Sequence, residues 1–186
     1  MKNINKFSLI IGLIIAGVMS RIIPHLPNFT AVGATALFAG SMIKPKWLAY
    51  LLPLFILWLS DLFLNNGIYK TLYPEYYKGW VWFGSLWVYT GFVLITMLGS
   101  YYIQEIKIKS VLKASVSASM LFFLLTNFGV WINNPLWSQS FGGLMKCYTF
   151  ALPFFWNTLA ADLLFSGLIF GIYVYVREKG LIANKV

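Results

Sequence analysis

Six apolar segments, separated by short polar or charged linkers, constrain this chain more than any other feature. They are residues 7–23, 29–43, 47–64, 81–103, 114–132 and 148–176. Their continuous apolar character, without alternation, excludes the strands of a β-barrel and indicates helices. A helix needs about 20 apolar residues to cross a bilayer. The sequence therefore predicts an all-α membrane protein, a bundle of six transmembrane helices forming one domain over residues 1–186, in which the short second segment is tilted or partly re-entrant.

Composition supports a membrane protein over a soluble one. Of the 186 residues, 60% are hydrophobic and 10% are charged, whereas soluble domains carry about 25% charged residues. A water-soluble fold would therefore lack a polar surface. The first apolar segment follows Lys2 and Lys6 and resembles a signal peptide. Because five further apolar segments come after it, we expect it to be an uncleaved helix.

The net charge of +9 arises from cations that flank the apolar segments. They form no patch with interleaved aromatic residues, so we interpret them as topology signals and not as a nucleic-acid site. Six spans place both termini on one side of the membrane. That side would hold Lys2, Lys6, Lys44, Lys46, Lys107, Lys109, Lys113, Arg177, Lys179 and Lys185, and the other Arg21, Lys70, Lys78 and Lys146. The positive-inside rule then predicts cytoplasmic termini. We expect the membrane to be a bacterial inner (cytoplasmic) membrane, in keeping with the resemblance given below.

In this topology the polar side chains of the apolar segments gather at their outer ends. The set comprises Arg21, His25, Asn28, Asp61, Asn127, Asn157, Thr158 and Asp162. A charge at the centre of a bilayer costs about 2.5–3.5 kcal/mol on the insertion scale, so it normally faces the protein interior and has a partner. Several polar groups at one depth predict an outward-facing pocket that binds a small molecule.

The charged members of this set allow more than one pairing. Asp162 is the deepest acid and would be either protonated or paired with Arg21, while Asp61 is the other candidate partner of Arg21. If Arg21 is not held by an acid, it would bind an anionic group of the ligand. The pair can equally be a structural ion pair, and the small residues beside it can be helix-packing faces.

No enzyme or metal signature is present in the sequence. It contains no HExxH, GxSxG or phosphate-binding glycine loop. Cys147 is the single cysteine, which excludes an internal disulfide and leaves no paired Cys/His spacing. We therefore predict no catalytic residue, no metal and no cofactor. Two alternatives stay open, namely a structural subunit of a membrane complex and an intramembrane enzyme that uses Asp61, Asp162 and His25.

Four stretches of the chain resemble a family of small uncharacterised bacterial integral membrane proteins. They are RIIPHLPNFTAVGATALFAG, LPLFILWLSDL, LLTNFGVWINN and GLMKCYTFALPFFWNTLAADLLFSGLIFG. More distantly, ALFAG followed by KPKWLAYLLPLFILWLSDL is similar to the S components of energy-coupling-factor vitamin transporters. That resemblance implies a six-helix bundle with an outward pocket that takes up a vitamin or vitamin precursor. It also implies docking onto a membrane coupling subunit with ATPases, through small residues whose counterpart here is Gly12-x-x-x-Ala16.

Overall fold

The computed structural model describes residues 6–181, which form six helices and no β-strand. The helices are α1 (Lys6–Ile22), α2 (Val32–Met42), α3 (Lys46–Leu72), α4 (Leu86–Tyr102), α5 (Ile108–Asn133) and α6 (Phe141–Glu178). The prediction of an all-helical fold with six helices is confirmed for this part of the chain.

Three of the helices are long and apolar enough to cross a membrane. They are α3, α5 and α6, with 27, 26 and 38 residues, whereas α1, α2 and α4 are shorter apolar helices. At 1.5 Å per residue, the 11 residues of α2 extend about 16 Å, roughly half the thickness of the hydrocarbon core. The long helices indicate a membrane protein, and helix length alone supports three spans, not six.

Local side-chain contacts explain why two helices begin away from their predicted ends. Segment four was expected from residue 81, but α4 begins at Leu86. The Asn66 amide bonds both backbone groups of Val81, at 2.8 Å each, and holds this stretch extended. Segment six was expected from residue 148, but α6 begins at Phe141. There the Ser140 hydroxyl accepts a hydrogen bond from the Gly143 N–H at 3.2 Å and caps the helix.

Helices α3 and α5 also extend beyond the hydropathy boundaries. α3 passes residue 64 through a π-helical turn, Leu64–Tyr69, and ends at Leu72. α5 begins six residues before the predicted residue 114, within the charged linker. Val111 is buried there while Lys109 and Lys113 are exposed, so the linker forms an amphipathic first turn. Hydropathy follows runs of apolar residues, and it therefore missed helical turns that contain polar and charged residues.

Helix α2 occupies the centre of the bundle. Residues 31–40 are all buried, and α2 contacts each of the other five helices. Its small residues permit close approach, since a Cβ atom added at Gly40 would collide with the Thr96 carbonyl of α4. A helix that is apolar all round is buried inside the protein. Enclosure by neighbouring helices accounts for a second segment too short to span a bilayer.

The core and the outer surface of the bundle are both apolar. In the core, the Phe38 ring lies edge-on to Phe170 and Tyr173, with ring centroids 5.3 and 5.2 Å apart. On the outside, large apolar side chains such as Leu124 and Leu168 are about half exposed. A soluble monomer rarely exposes so much contiguous apolar surface, whereas a lipid-facing surface requires it.

Candidate functional site

A cavity of about 400 Å³ lies where the chain passes from α1 into α2. Its polar side chains are Arg21, His25, Asn28, Thr30, Tyr69, Thr158 and Asp162. Its apolar wall includes Leu57, Leu64, Phe92, Ile95 and Phe122. Helices α1 to α6 all contribute to this lining. A concave site with many apolar side chains and a few converging polar groups is the usual form of a small-molecule site.

The cavity has an exposed mouth and a buried floor. His25, Pro27 and Asn28 at the mouth are exposed, whereas Ile95 and Asp162 at the floor are 1% and 3% exposed. The mouth is shaped by Asn28, whose φ of 63° lies in the left-handed region that asparagine tolerates better than most residues. This turn directs the chain across the end of the bundle and into α2.

Arg21 pairs with Asp61, not with Asp162. The Arg21 Nη2 lies 2.8 Å from the Asp61 Oδ1. The Arg21 Nη1 donates to the Ser60 hydroxyl at 2.6 Å and to the Leu57 carbonyl at 3.2 Å. Tyr89 of α4 donates to the second carboxylate oxygen of Asp61 at 2.9 Å. Of the two partners considered from sequence, Asp61 is the one found, and the network joins α1, α3 and α4.

Asp162 is buried on α6, where neutral groups surround it. Its Oδ2 accepts a hydrogen bond from the Ser119 hydroxyl of α5 at 2.6 Å. Its Oδ1 lies against Gly33, so closely that a Cβ atom at residue 33 would collide with it. Gly33 belongs to the first turn of α2, whose partial positive charge favours a nearby carboxylate. Among the described residues, Asp162 forms no ion pair.

The eight residues predicted for the site divide into two groups. Those lining the cavity are Arg21, His25, Asn28, Thr158 and Asp162, and those outside its lining are Asp61, Asn127 and Asn157. Asn157 of α6 donates to the Pro27 carbonyl at 3.0 Å, and this hydrogen bond links the loop at the cavity mouth to α6. Asn127 donates to the Phe123 carbonyl within α5, at 2.8 Å.

The His25 ring is already placed between two carbonyl oxygens. Its Nδ1 lies 2.7 Å from the Leu26 oxygen and its Nε2 lies 3.3 Å from the Arg21 oxygen. Neutral imidazole carries one N–H, so the tautomer decides which of these contacts is a hydrogen bond. No group of three His, Cys, Asp or Glu side chains within residues 6–181 is arranged to hold a metal ion.

Sequence reasoning missed the residues that complete this site. Tyr89 and Gly33 carried no signal, because a tyrosine and a glycine in apolar segments are ordinary. Ser119 stood in a stripe of small and hydroxyl side chains with Ser115, a pattern that also fits helix packing. In the structure this stripe serves both the site and helix packing. Ser119 donates to Asp162, and Ser115 donates to the Ser166 hydroxyl between α5 and α6 at 2.9 Å.

Comparison with known proteins supports one of the two resemblances. No curated protein and no solved structure matches the chain. The similarity to S components of vitamin transporters therefore receives no support. A family model described as a family of unknown function matches residues 1–183, nearly the whole sequence. The chain belongs to this family of unknown function, DUF6580.

Proposed function

We propose that this membrane protein binds a small polar molecule in the cavity between its helices and mediates the uptake of that molecule. The observation that carries the proposal is the convergence of Arg21, His25, Asn28, Thr158 and Asp162 on one cavity of about 400 Å³. Polar and ionisable groups are costly inside a membrane and usually mark substrate pathways there. A volume of this size suits a vitamin or vitamin precursor better than a macromolecule.

The proposed setting is the bacterial cytoplasmic membrane, with six helices in the bilayer and both termini in the cytoplasm. The distribution of ten cations against four supports this orientation. The cavity mouth would then face outward, since it lies at the end of the bundle that holds Arg21 and His25. The sequence has no nucleotide-binding motif, so we propose that energy comes from a coupling subunit with ATPases.

A structural role is the second candidate, and the Arg21–Asp61 network favours it. Arg21 is held by Asp61, Ser60 and Leu57, as in structural pairs that join helices. An intramembrane enzyme has less support. Asp61 lies outside the cavity lining and is engaged by Tyr89 and Arg21, which leaves Asp162 without a second carboxylate in the cavity. We therefore propose no catalytic role.

Ligand binding can be tested on the purified protein in detergent. Vitamins and their precursors would be screened by thermal unfolding, because a ligand at 100 times its Kd stabilises the folded state by about 2.7 kcal/mol. Thr158→Val removes a hydroxyl from the cavity lining. Thr126→Val is the matched control, because both hydroxyls donate to the carbonyl four residues earlier and Thr126 lies outside the lining.

We expect at least one compound to raise the melting temperature, with weaker binding in Thr158→Val and unchanged binding in Thr126→Val. If both variants lose binding equally, the cavity is not the binding site, and the structural role would then be preferred. If no compound of this panel stabilises the protein, the ligand is not a vitamin or vitamin precursor.

The orientation can be tested by cysteine labelling of intact cells, with Cys147→Ser as the background. His25→Cys should react with a membrane-impermeant maleimide, and Lys109→Cys should react after lysis only, because both positions are exposed at opposite ends of the bundle. The reverse pattern would refute cytoplasmic termini.

A further inference from the structure

We infer that the molecule bound in the cavity is a small organic ammonium compound, and that Asp162 binds its positively charged nitrogen at the cavity floor. This inference rests on the proposed binding function and names the chemical class of the ligand. From sequence, Arg21 would either receive an anionic group of the ligand or be held by an acid, and the structure shows it held by Asp61.

The first argument is the charge distribution around the cavity. The positive charge of Arg21 is compensated by Asp61 at 2.8 Å. Asp162 has no basic partner among the described residues, and its hydrogen-bond donor is the neutral hydroxyl of Ser119. With Asp162 ionised, as it would be beside a bound cation, the charges of Arg21, Asp61 and Asp162 sum to minus one. An anionic ligand would compete with Asp61 for Arg21 and be repelled by Asp162, whereas a cation would complete the balance.

The second argument is the position of the two oxygens of Asp162. Oδ2 is occupied by Ser119 at 2.6 Å. Oδ1 packs against Gly33, where any larger residue would collide with it, and the hydrogen bond that the described residues donate to this carboxylate goes to Oδ2. The side chain is 3% exposed and belongs to the cavity lining. An ammonium N–H reaching the carboxylate would form a charge-assisted hydrogen bond at the buried floor of the cavity.

The third argument is the nature of the wall near the floor. Phe92 and Phe122 both line the cavity, and their ring centroids are 5.2 Å apart. Aromatic faces attract organic cations and accommodate the carbon skeleton that carries the charge. Two of the remaining polar side chains of the lining, His25 and Asn28, are exposed at the mouth. A ligand with an ammonium at one end and an uncharged polar group at the other would match this arrangement.

The test compares matched probes on the purified full-length protein in detergent at pH 7. The cations are benzylamine, phenethylamine and histamine, and each is paired with the alcohol and the carboxylate of the same skeleton. Thermal unfolding and equilibrium dialysis would measure binding. Asp162→Asn keeps the volume and can still accept from Ser119. Glu105→Gln, an exposed acid in the α4–α5 linker, is the control variant.

We expect the ammonium probes to stabilise the protein, while their neutral and anionic counterparts do not. Asp162→Asn should weaken ammonium binding roughly ten- to a hundredfold, as expected for a hydrogen bond between charged groups. Glu105→Gln should leave binding unchanged. If Asp162→Asn does not fold, carbodiimide modification of Asp162 in the wild-type protein serves instead, with N,N-dimethylbenzylamine as the probe because a tertiary amine forms no stable amide with the activated carboxyl; the bound probe should slow the modification.

Each other outcome has a defined meaning. If ammonium binding persists in Asp162→Asn, or does not slow the carbodiimide reaction, the assignment of Asp162 is wrong. If neutral or anionic compounds stabilise the protein and ammonium compounds do not, the ligand class is wrong while the proposed binding function stands. If neither these probes nor the vitamin panel stabilises the protein, both proposals fail together.

Discussion

Replacing Asp61 by asparagine should destabilise the folded protein by about 3 kcal/mol, the lower end of the cost of breaking a buried ion pair. The side chains of Arg21 and Asp61 are 19% and 8% exposed, so both charges are largely withdrawn from water. The variant would leave the Arg21 guanidinium without its counter-charge. We choose the lower end because Arg21 keeps its bonds to Ser60 and Leu57, and because it retains some exposure.

A double-mutant cycle isolates the contribution of the pair itself. The variants are Asp61→Asn, Arg21→Gln and the combination of both. Because the charges lie 2.8 Å apart and are hydrogen-bonded, the coupling free energy should be about 1.5–3 kcal/mol. The double variant should consequently be more stable than the sum of the single losses predicts. Glu105→Gln is the control, since its pair with Lys107 is similarly short but more than 70% exposed.

The assay is reversible unfolding in mixed detergent micelles, followed by the fluorescence of the eight tryptophans. A loss of 3 kcal/mol corresponds to a fall of about 6–12 °C in melting temperature for a chain of this size. Glu105→Gln should melt as the wild type does. A coupling free energy below about 0.5 kcal/mol, the range of exposed pairs, would refute the reasoning. The Arg21–Asp61 contact would then add nothing beyond a surface ion pair.

Three further substitutions test the packing of the bundle by the same unfolding assay. Gly99→Ala should cost about 1–3 kcal/mol, because its Cβ would collide with the Leu37 backbone, whereas Gly167→Ala, with open space around it, should cost nothing. Phe38→Ala should cost about 3–5 kcal/mol, because the side chain is fully buried in the core. Asn157→Ala should leave global stability nearly unchanged but accelerate proteolysis at residues 23–31, because it releases the Pro27 carbonyl. An unchanged melting temperature in Gly99→Ala or Phe38→Ala, or unchanged proteolysis in Asn157→Ala, would contradict the packing described.

Arg21 pairs with Asp61 and not with Asp162, and the sequence could not predict which of the two acids would be its partner. All three residues are charges in or beside apolar segments, so sequence identified them as a set that must avoid lipid. The pairing depends on which helix lies beside the last turn of α1. α3 lies there, and it presents Asp61 together with Ser60 and the Leu57 carbonyl. Helix adjacency is a tertiary property that the spacing of residues along the chain does not contain.

Sequence alone determined the helical class, the membrane environment and the small set of polar side chains that had to be shielded. These follow from hydrophobicity and from the cost of burying charge, which are properties of the residues themselves. The tertiary structure alone decided that α2 is enclosed, that Ser140 and Asn66 set helix ends, and that Asp162 contacts Ser119 instead of Arg21. Those outcomes depend on contacts between distant residues, and such contacts exist only once the helices have packed.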